Sequence, residues 1–268
     1  MAEASTRKVS RVKKDIISEL PGNIHEYILG CLPIQDAVRT SVLSTRWRHT
    51  WTMTPHLIFD NQFLCRMMVK IKLEPSETSN LAKVLCSLHN IEIIYIAAEF
   101  IQFLAGGGSL RNLSKPLHNL KTLNISGINF VDSDIISCLL CLIRSAPNLC
   151  KLNISADIYT EFSVYGDLRK DYRVGDLDDF TIDQLKIVTL SYFEGRRAEL
   201  ELVKYLLAHA PLLKTMSIHR HAIVTKDVSL LIAEEMLQYT RASSRAQIRY
   251  LEQPVVINVF EGFECFYT

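Results

Sequence analysis

Between residues 15 and 51 the apolar positions Leu20, Ile24, Ile28, Leu32, Ala37, Val38, Val42, Leu43, Trp47 and Trp51 recur at steps of three to five, the spacing of a helical stripe. Pro21 falls near a helix start and Pro33 between two helical stretches, positions where proline begins or interrupts a helix. The pattern predicts two or three short helices. Roughly forty residues seldom bury enough surface to fold alone, so these helices need a neighbour to cover their stripe.

A second pattern runs through the middle of the chain, with apolar residues at i, i+3 and i+5. It occurs at Ile91/Ile94/Ile96, Leu120/Leu123/Ile125, Leu149/Leu152/Ile154, Leu185/Val188/Leu190 and Leu213/Met216/Ile218, with first positions 29, 29, 36 and 28 residues apart. Any one such string arises by chance, but five at similar intervals predict strands stacked in parallel as a solenoid, close to the upper end of the leucine-rich-repeat period. Two units match further: residues 142–154 and 206–218 each place A-P-x-L between a helix end and a strand. Proline there cannot continue the helix and forces the turn. Helices are expected over 133–145 and 198–209, with Leu202, Val203, Leu206 and Leu207 facing the sheet and Glu199, Glu201 and Lys204 on the solvated side. Gly195 suits the turn before the second helix. Residues 54–90 are poorly patterned, and a last strand is expected at 255–260.

The 48% hydrophobic content is ample for a core, and a net charge of +1 from 30 basic and 29 acidic side chains gives no reason to expect nucleic acid or an anionic membrane as a partner. Residues 1–14 are polar and basic without an apolar core, so no secretory leader is expected, and no apolar stretch is long enough to span a bilayer. Arg7, Lys8, Arg11, Lys13 and Lys14 form a loose basic cluster that reads as a flexible N-terminus. Seven scattered cysteines fit a reducing compartment better than a disulfide framework.

Candidate chemistry is sparse. Cys138 and Cys141 form a C-x-x-C, but no second ligand pair lies at a zinc-site distance in sequence, so they read as small buried hydrophobes. His219 and His221 flank Arg220 at a strand end without a nearby carboxylate or cysteine in sequence, and read as solvated. Asp176, Asp178 and Asp179 lack the rest of a calcium loop. Gly106 to Gly108 is not followed by the lysine of a phosphate-binding loop. No nucleophile with a base is recognisable, and no catalytic, cofactor-binding or metal residues are expected.

The residues of the first segment carry a resemblance. Its L-P, I-L-G-C-L-P, D-A-V-R-T-S-V-L-S and R-W-R with a second Trp four residues later closely resemble the plant F-box over residues 16–51. The stretch from Leu185, L-K-I-V-T-L-S-Y-F-E-G-R-R-A-E-L-E-L-V-K-Y-L-L-A-H-A-P-L-L-K-T-M-S-I, resembles the FBD domain that closes leucine-rich-repeat arrays in plant F-box proteins. Taken in order, the chain resembles a plant F-box/FBD/LRR-repeat protein, with fewer repeats than such proteins usually carry. The implied fold is α/β: a flexible basic N-terminus at 1–13, a helical F-box at 14–53, a short leucine-rich-repeat region of parallel strands with helices at 54–180, an FBD-type repeat at 181–252 and a tail or last strand at 253–268.

The resemblance implies a non-catalytic substrate receptor of a cullin–RING ubiquitin ligase. The F-box would dock on a Skp-type adaptor, and through it on cullin, while the repeats hold an unidentified target protein. The implied adaptor contact is Leu20, Pro21, Ile24, Ile28, Leu32, Pro33, Val38, Val42, Leu43 and Trp47, since aromatic anchors among aliphatics suit a helix-in-groove contact. The implied location is intracellular, in the nucleus or cytoplasm. The alternative from a different class is a repeat scaffold that binds a partner, or competes for it, without delivering it for ubiquitination.

Overall fold

The computed structural model describes residues 16, 17, 19–32, 34–43, 47, 50, 56–59, 90–101, 116–130, 133–157 and 180–253. It divides into two units, Met1–Thr54 and Pro55–Thr268. Pro33, Trp51, the basic cluster, Gly106 to Gly108, the aspartates of 176–179 and the strand expected at 255–260 lie outside the described residues.

In the first unit, helix α1 (Gly22–Gly30) starts directly after Pro21, whose extended backbone serves as its N-cap. Helix α2 (Ile34–Arg39) runs into a 3-10 turn at Thr40–Val42. Two short helices and a 3-10 turn thus stand where the periodicity predicts two or three.

The second unit is a parallel sheet whose seven described strands lie side by side in chain order. They are β1 (His56–Phe59), β2 (Ile93–Ala97), β3 (Thr122–Ile128), β4 (Lys151–Ala156), β5 (Ile187–Phe193), β6 (Thr215–Arg220) and β7 (Gln247–Glu252). The register explains the i, i+3, i+5 spacing. Ile94, Leu123, Leu152, Val188 and Met216 are direct neighbours across the sheet, as are Ile96, Ile125, Ile154, Leu190 and Ile218. The first residue of each set sits in the preceding turn, so the step to the strand is three and the step within it is two. All fifteen side chains of these sets are buried, each contributing about 1.5–3 kcal/mol.

Strands β3 to β7 are entered by the same tight turn. Leu120, Leu149, Leu185, Leu213 and Ala246 each donate a backbone N–H to the carbonyl three residues back, at Leu117, Ala146, Ile182, Ala210 and Ser243. Among the described residues, helices α3 (Ser133–Arg144), α4 (Arg197–His209) and α5 (Lys226–Leu237) occupy connections between strands, and residues 98–101 are helical after β2. Helix α4 packs between α3 and α5, and its Glu199 and Leu202 lie against Ile154, Leu190 and Phe193. The helix layer therefore covers the apolar face of the sheet.

Four elements differ from the sequence expectation. Strand β1 stands within the stretch read as unpatterned and pairs with β2. Helix α5 and strand β7 were not foreseen. Glu199, expected on the solvated side of α4, is 1% exposed, because it occupies the third position of the helix and folds back onto the backbone that precedes it.

Candidate interaction surfaces

The first unit has a very small interior. Leu29 and Ala37 enclose Trp47, with Ile28 partly buried against them. His25 joins this cluster: its ring lies 4.6 Å from that of Trp47, and its Nε2 pairs with the Ile17 carbonyl at 2.8 Å. Helix α1 thus turns His25, Ile28 and Leu29 inward, a face one turn deep, and sends Ile24 and Tyr27 out.

What the unit fails to enclose is larger. Ile16, Ile17, Ile24, Tyr27, Leu32, Val38, Val42 and Leu43 are all exposed, Tyr27 at 74% and Val42 at 86%. Of the residues expected at an adaptor contact, Pro21, Ile24, Leu32, Val38, Val42 and Leu43 are exposed, and Leu20 and Ile28 are half-buried. Trp47, also among them, is 2% exposed and packs in the unit's own core. Ile16, Ile17 and Tyr27 are exposed beside them, and Tyr27 lies three residues from Ile24 on one helix face.

The second unit presents a different surface. The sheet face opposite the helices carries the row Tyr95, Asn124, Asn153, Thr189, Ser217 and Arg249, neighbours across β2 to β7. Asn153 Nδ2 donates to Asn124 Oδ1 at 2.6 Å, and Asn124 Nδ2 donates to the Ile94 carbonyl at 3.4 Å. The row is polar, half-exposed for most of its length, and built on a rigid ladder.

The β5–α4 junction holds the unit's buried charges. Gly195 has φ +79, and a Cβ there would lie 2.1 Å from Ile232 Cδ1 of α5. Only glycine permits both the left-handed backbone and this approach. Next to it, Glu199 Oε2 accepts the Arg196 N–H at 2.8 Å and the Glu194 N–H at 3.1 Å. This is half of a capping box. Glu194 and Arg196 are themselves ion-paired at 2.6 Å and largely buried. Burial pushes the Glu199 carboxyl up to about 8, with the neighbouring Glu194 charge adding to the rise and the backbone donors and Arg196 opposing it. Tyr192 and Gly127, both with positive φ, stand where β5 and β3 break register.

The cysteine and histidine pairs show no joint geometry for chemistry. Cys138 is buried, and that burial, with Cys141 close by, pushes its thiol up to about 12. It stays protonated at neutral pH and is a poor nucleophile. His219 faces the Glu252 carbonyl, whereas His221 accepts the Ile223 N–H and lies against Tyr192. Among the described residues no group of three metal-ligating side chains converges, and no helix is long and apolar enough to cross a membrane.

Comparison with known proteins finds a domain family in each unit. The F-box domain family matches residues 17–59, and the FBD family matches residues 182–218, the span of β5, α4 and β6. The Arabidopsis thaliana F-box/FBD/LRR-repeat protein At1g13570 is 30% identical over 179 residues, 67% of this chain and 42% of the relative. F-box/LRR-repeat protein 25 of the same plant is 38% identical over 88 residues, 32% of this chain and 34% of the relative. F-box/FBD/LRR-repeat protein At2g04230, also from Arabidopsis thaliana, is 48% identical over 56 residues, 21% of this chain and 12% of the relative. The chain thus spans less than half the length of these relatives. It carries an F-box domain and an FBD domain, and is similar to the Arabidopsis proteins named for F-box, FBD and leucine-rich repeats.

Proposed function

We propose that the chain is the non-catalytic substrate-recognition subunit of an SCF-type cullin–RING ubiquitin ligase. The F-box binds a Skp-type adaptor, and through it cullin. The parallel sheet is a leucine-rich-repeat solenoid, closed by the FBD, that holds a target protein. It raises the effective concentration of target lysines near a ubiquitin-loaded enzyme carried elsewhere in the complex, and it works in the nucleus or cytoplasm.

The observation that carries this reading is the imbalance within the F-box unit. An interior of Leu29, Ala37 and Trp47 coexists with exposed Ile24, Tyr27, Val42 and Leu43, an apolar surface of the kind that partner binding covers. F-box domains generally bind Skp-type adaptors, and such a surface is what that contact requires.

The test is a pull-down of the purified chain with a plant Skp-type adaptor. Wild type should capture the adaptor. The Leu20→Ala/Pro21→Ala and Val42→Ser/Leu43→Ser double variants should lose it while the circular dichroism of the sheet is retained. A folded wild-type chain that captures no adaptor would leave the repeats as the working part and favour a partner-binding scaffold.

A further inference from the structure

The edge of the sheet at which the strands begin has a charge of its own. The i, i+3, i+5 spacing leaves two successive residues after each buried turn residue outside the core, and lysine recurs there. Lys121, Lys186 and Lys214 are register-equivalent: Lys121 and Lys186 lie on either side of Cys150, and Lys214 follows Lys186. This is fixed by Cys150 N–H to the Lys121 carbonyl, Lys186 N–H to the Cys150 carbonyl and Lys214 N–H to the Lys186 carbonyl. Lys151 fills the gap at Cys150 by standing one residue later, at the first position of β4. Arg245, in the turn before β7, and Arg249, on the polar face, extend the row; both are exposed.

Among the described residues along this edge, Glu92 and Asp183 carry negative charge, and Glu92 is already paired with Lys121 at 2.6 Å. Among the described residues Lys151, Lys186 and Lys214 have no carboxylate at ion-pair distance. The chain as a whole has a net charge of +1, so the row is a local concentration of cations rather than a reflection of composition. Adjacent strands lie about 4.8 Å apart, which keeps neighbouring members of the set Lys151, Lys186 and Lys214 about 5–6 Å apart at the backbone, inside the Debye length of about 8 Å at physiological salt.

We infer that this basic edge, with the amide and hydroxyl row beside it, is the docking surface for an acidic, extended segment of a protein partner. The inference deepens the target-binding reading of the sheet and rests on it. Complementary charge is what such a row selects and what speeds encounter, and the adjoining Asn124, Asn153, Thr189 and Ser217 side chains can pair with a peptide backbone. Nucleic acid is the less suited occupant. Tyr95 is the one aromatic in that polar row, whereas single strands are held by successive aromatic platforms.

The test uses the full chain and a fluorescein-labelled peptide of alternating glutamate and serine, read by anisotropy. Lys151→Glu/Lys214→Glu reverses two exposed members of the row. Lys204→Glu/Lys226→Glu makes the same change in net charge at exposed positions on α4 and α5. The first variant should weaken peptide binding about tenfold or more, and the second by less than about twofold. Equal weakening by the two, or no binding by wild type, overturns the inference. So does tighter binding of a single-stranded oligonucleotide of matched charge that the row variant abolishes. Adaptor capture by the same proteins separates the failures: peptide selectivity without adaptor capture defeats the ligase reading alone, and adaptor capture without peptide selectivity defeats the acidic-partner inference alone.

Discussion

The F-box unit and the strand ladder of the sheet unit spend their apolar residues in opposite ways, although helix α5 of the sheet unit also leaves Leu230, Leu231 and Leu237 exposed. The F-box unit encloses Leu29, Ala37 and Trp47 and leaves Ile16, Ile17, Tyr27, Val42 and Leu43 more than half exposed. The sheet unit buries all fifteen members of its five apolar sets and turns amides, hydroxyls and lysines outward on its open side. A domain whose apolar surface exceeds its core is stabilised by its partner, so binding and stability are linked there by mass action. The rows of the strand ladder are buried within the unit itself, so the polar side chains of the open face can change independently of them.

The sharpest way to break this comparison is to remove the centre of the smaller core. Trp47→Ala should cost about 3–5 kcal/mol, more than so small an interior can supply. The expected outcome is a sheet unit that melts as in wild type while adaptor capture is lost. Melting of both units together would show that they do not fold independently. The matched change in the sheet, Leu152→Ala, removes a fully buried member of the central row and should cost about 2–5 kcal/mol. It should lower the midpoint of the main denaturant transition and leave the sheet folded, because the neighbouring rows of the ladder remain.

Gly195→Ala tests the junction between sheet and helix layer. The added methyl meets both a left-handed backbone, about 1–2 kcal/mol, and the Ile232 side chain at 2.1 Å, where overpacking typically adds about 1–3 kcal/mol. In an Ile232→Ala background, Gly195→Ala should lose only the backbone part, about 1–2 kcal/mol. No loss at all in that background would mean that the backbone contributes nothing.

How much of this was legible in sequence follows from which side chains the fold buries. The strands β3 to β6 were readable because one turn geometry recurs, and it converts a fixed register into a fixed spacing of apolar residues that β2 shares. Strand β7 escaped because Ala246 takes the place of the turn leucine one residue closer to the strand, so that its apolar positions run Ala246, Ile248, Tyr250 and not at i, i+3, i+5. Helix α5 escaped because Leu230, Leu231 and Leu237 are exposed and only Ile232 and Met236 are buried, which leaves no clean stripe. The exposed apolar set of the F-box unit followed from family resemblance rather than periodicity. Helical spacing does not say which face is inward when the core is only one turn deep, so the burial of Trp47 was not legible from it. Glu199 was misread because Arg196 stands at the N-cap, where the recognisable capping signature has Ser or Thr.

Glu199 also gives the sheet unit a pH dependence. Its folded-state carboxyl is raised from 4.5 to about 8, so between those values the folded chain holds a proton that the unfolded chain has released. Stability therefore falls as pH rises from about 4.5 to about 8 and levels off above it. Glu199→Gln keeps the shape and removes the titration. It should flatten the stability profile over this window while wild type declines, both read from denaturant midpoints. Parallel profiles for the two proteins would assign the decline to other groups.

The smallest effect is expected where the sheet faces solvent. Asn153→Ala removes the 2.6 Å bond to Asn124 Oδ1 on a half-exposed row, where water can take over the acceptor. The loss should be about 0.5–1.5 kcal/mol, well below that of Leu152→Ala one residue away on the same strand. The contrast between these neighbours tests whether the open face is free to vary for binding. If Asn153→Ala cost as much as Leu152→Ala, the polar ladder would be part of what holds the sheet together, and its side chains could not be exchanged for a new partner without unfolding it.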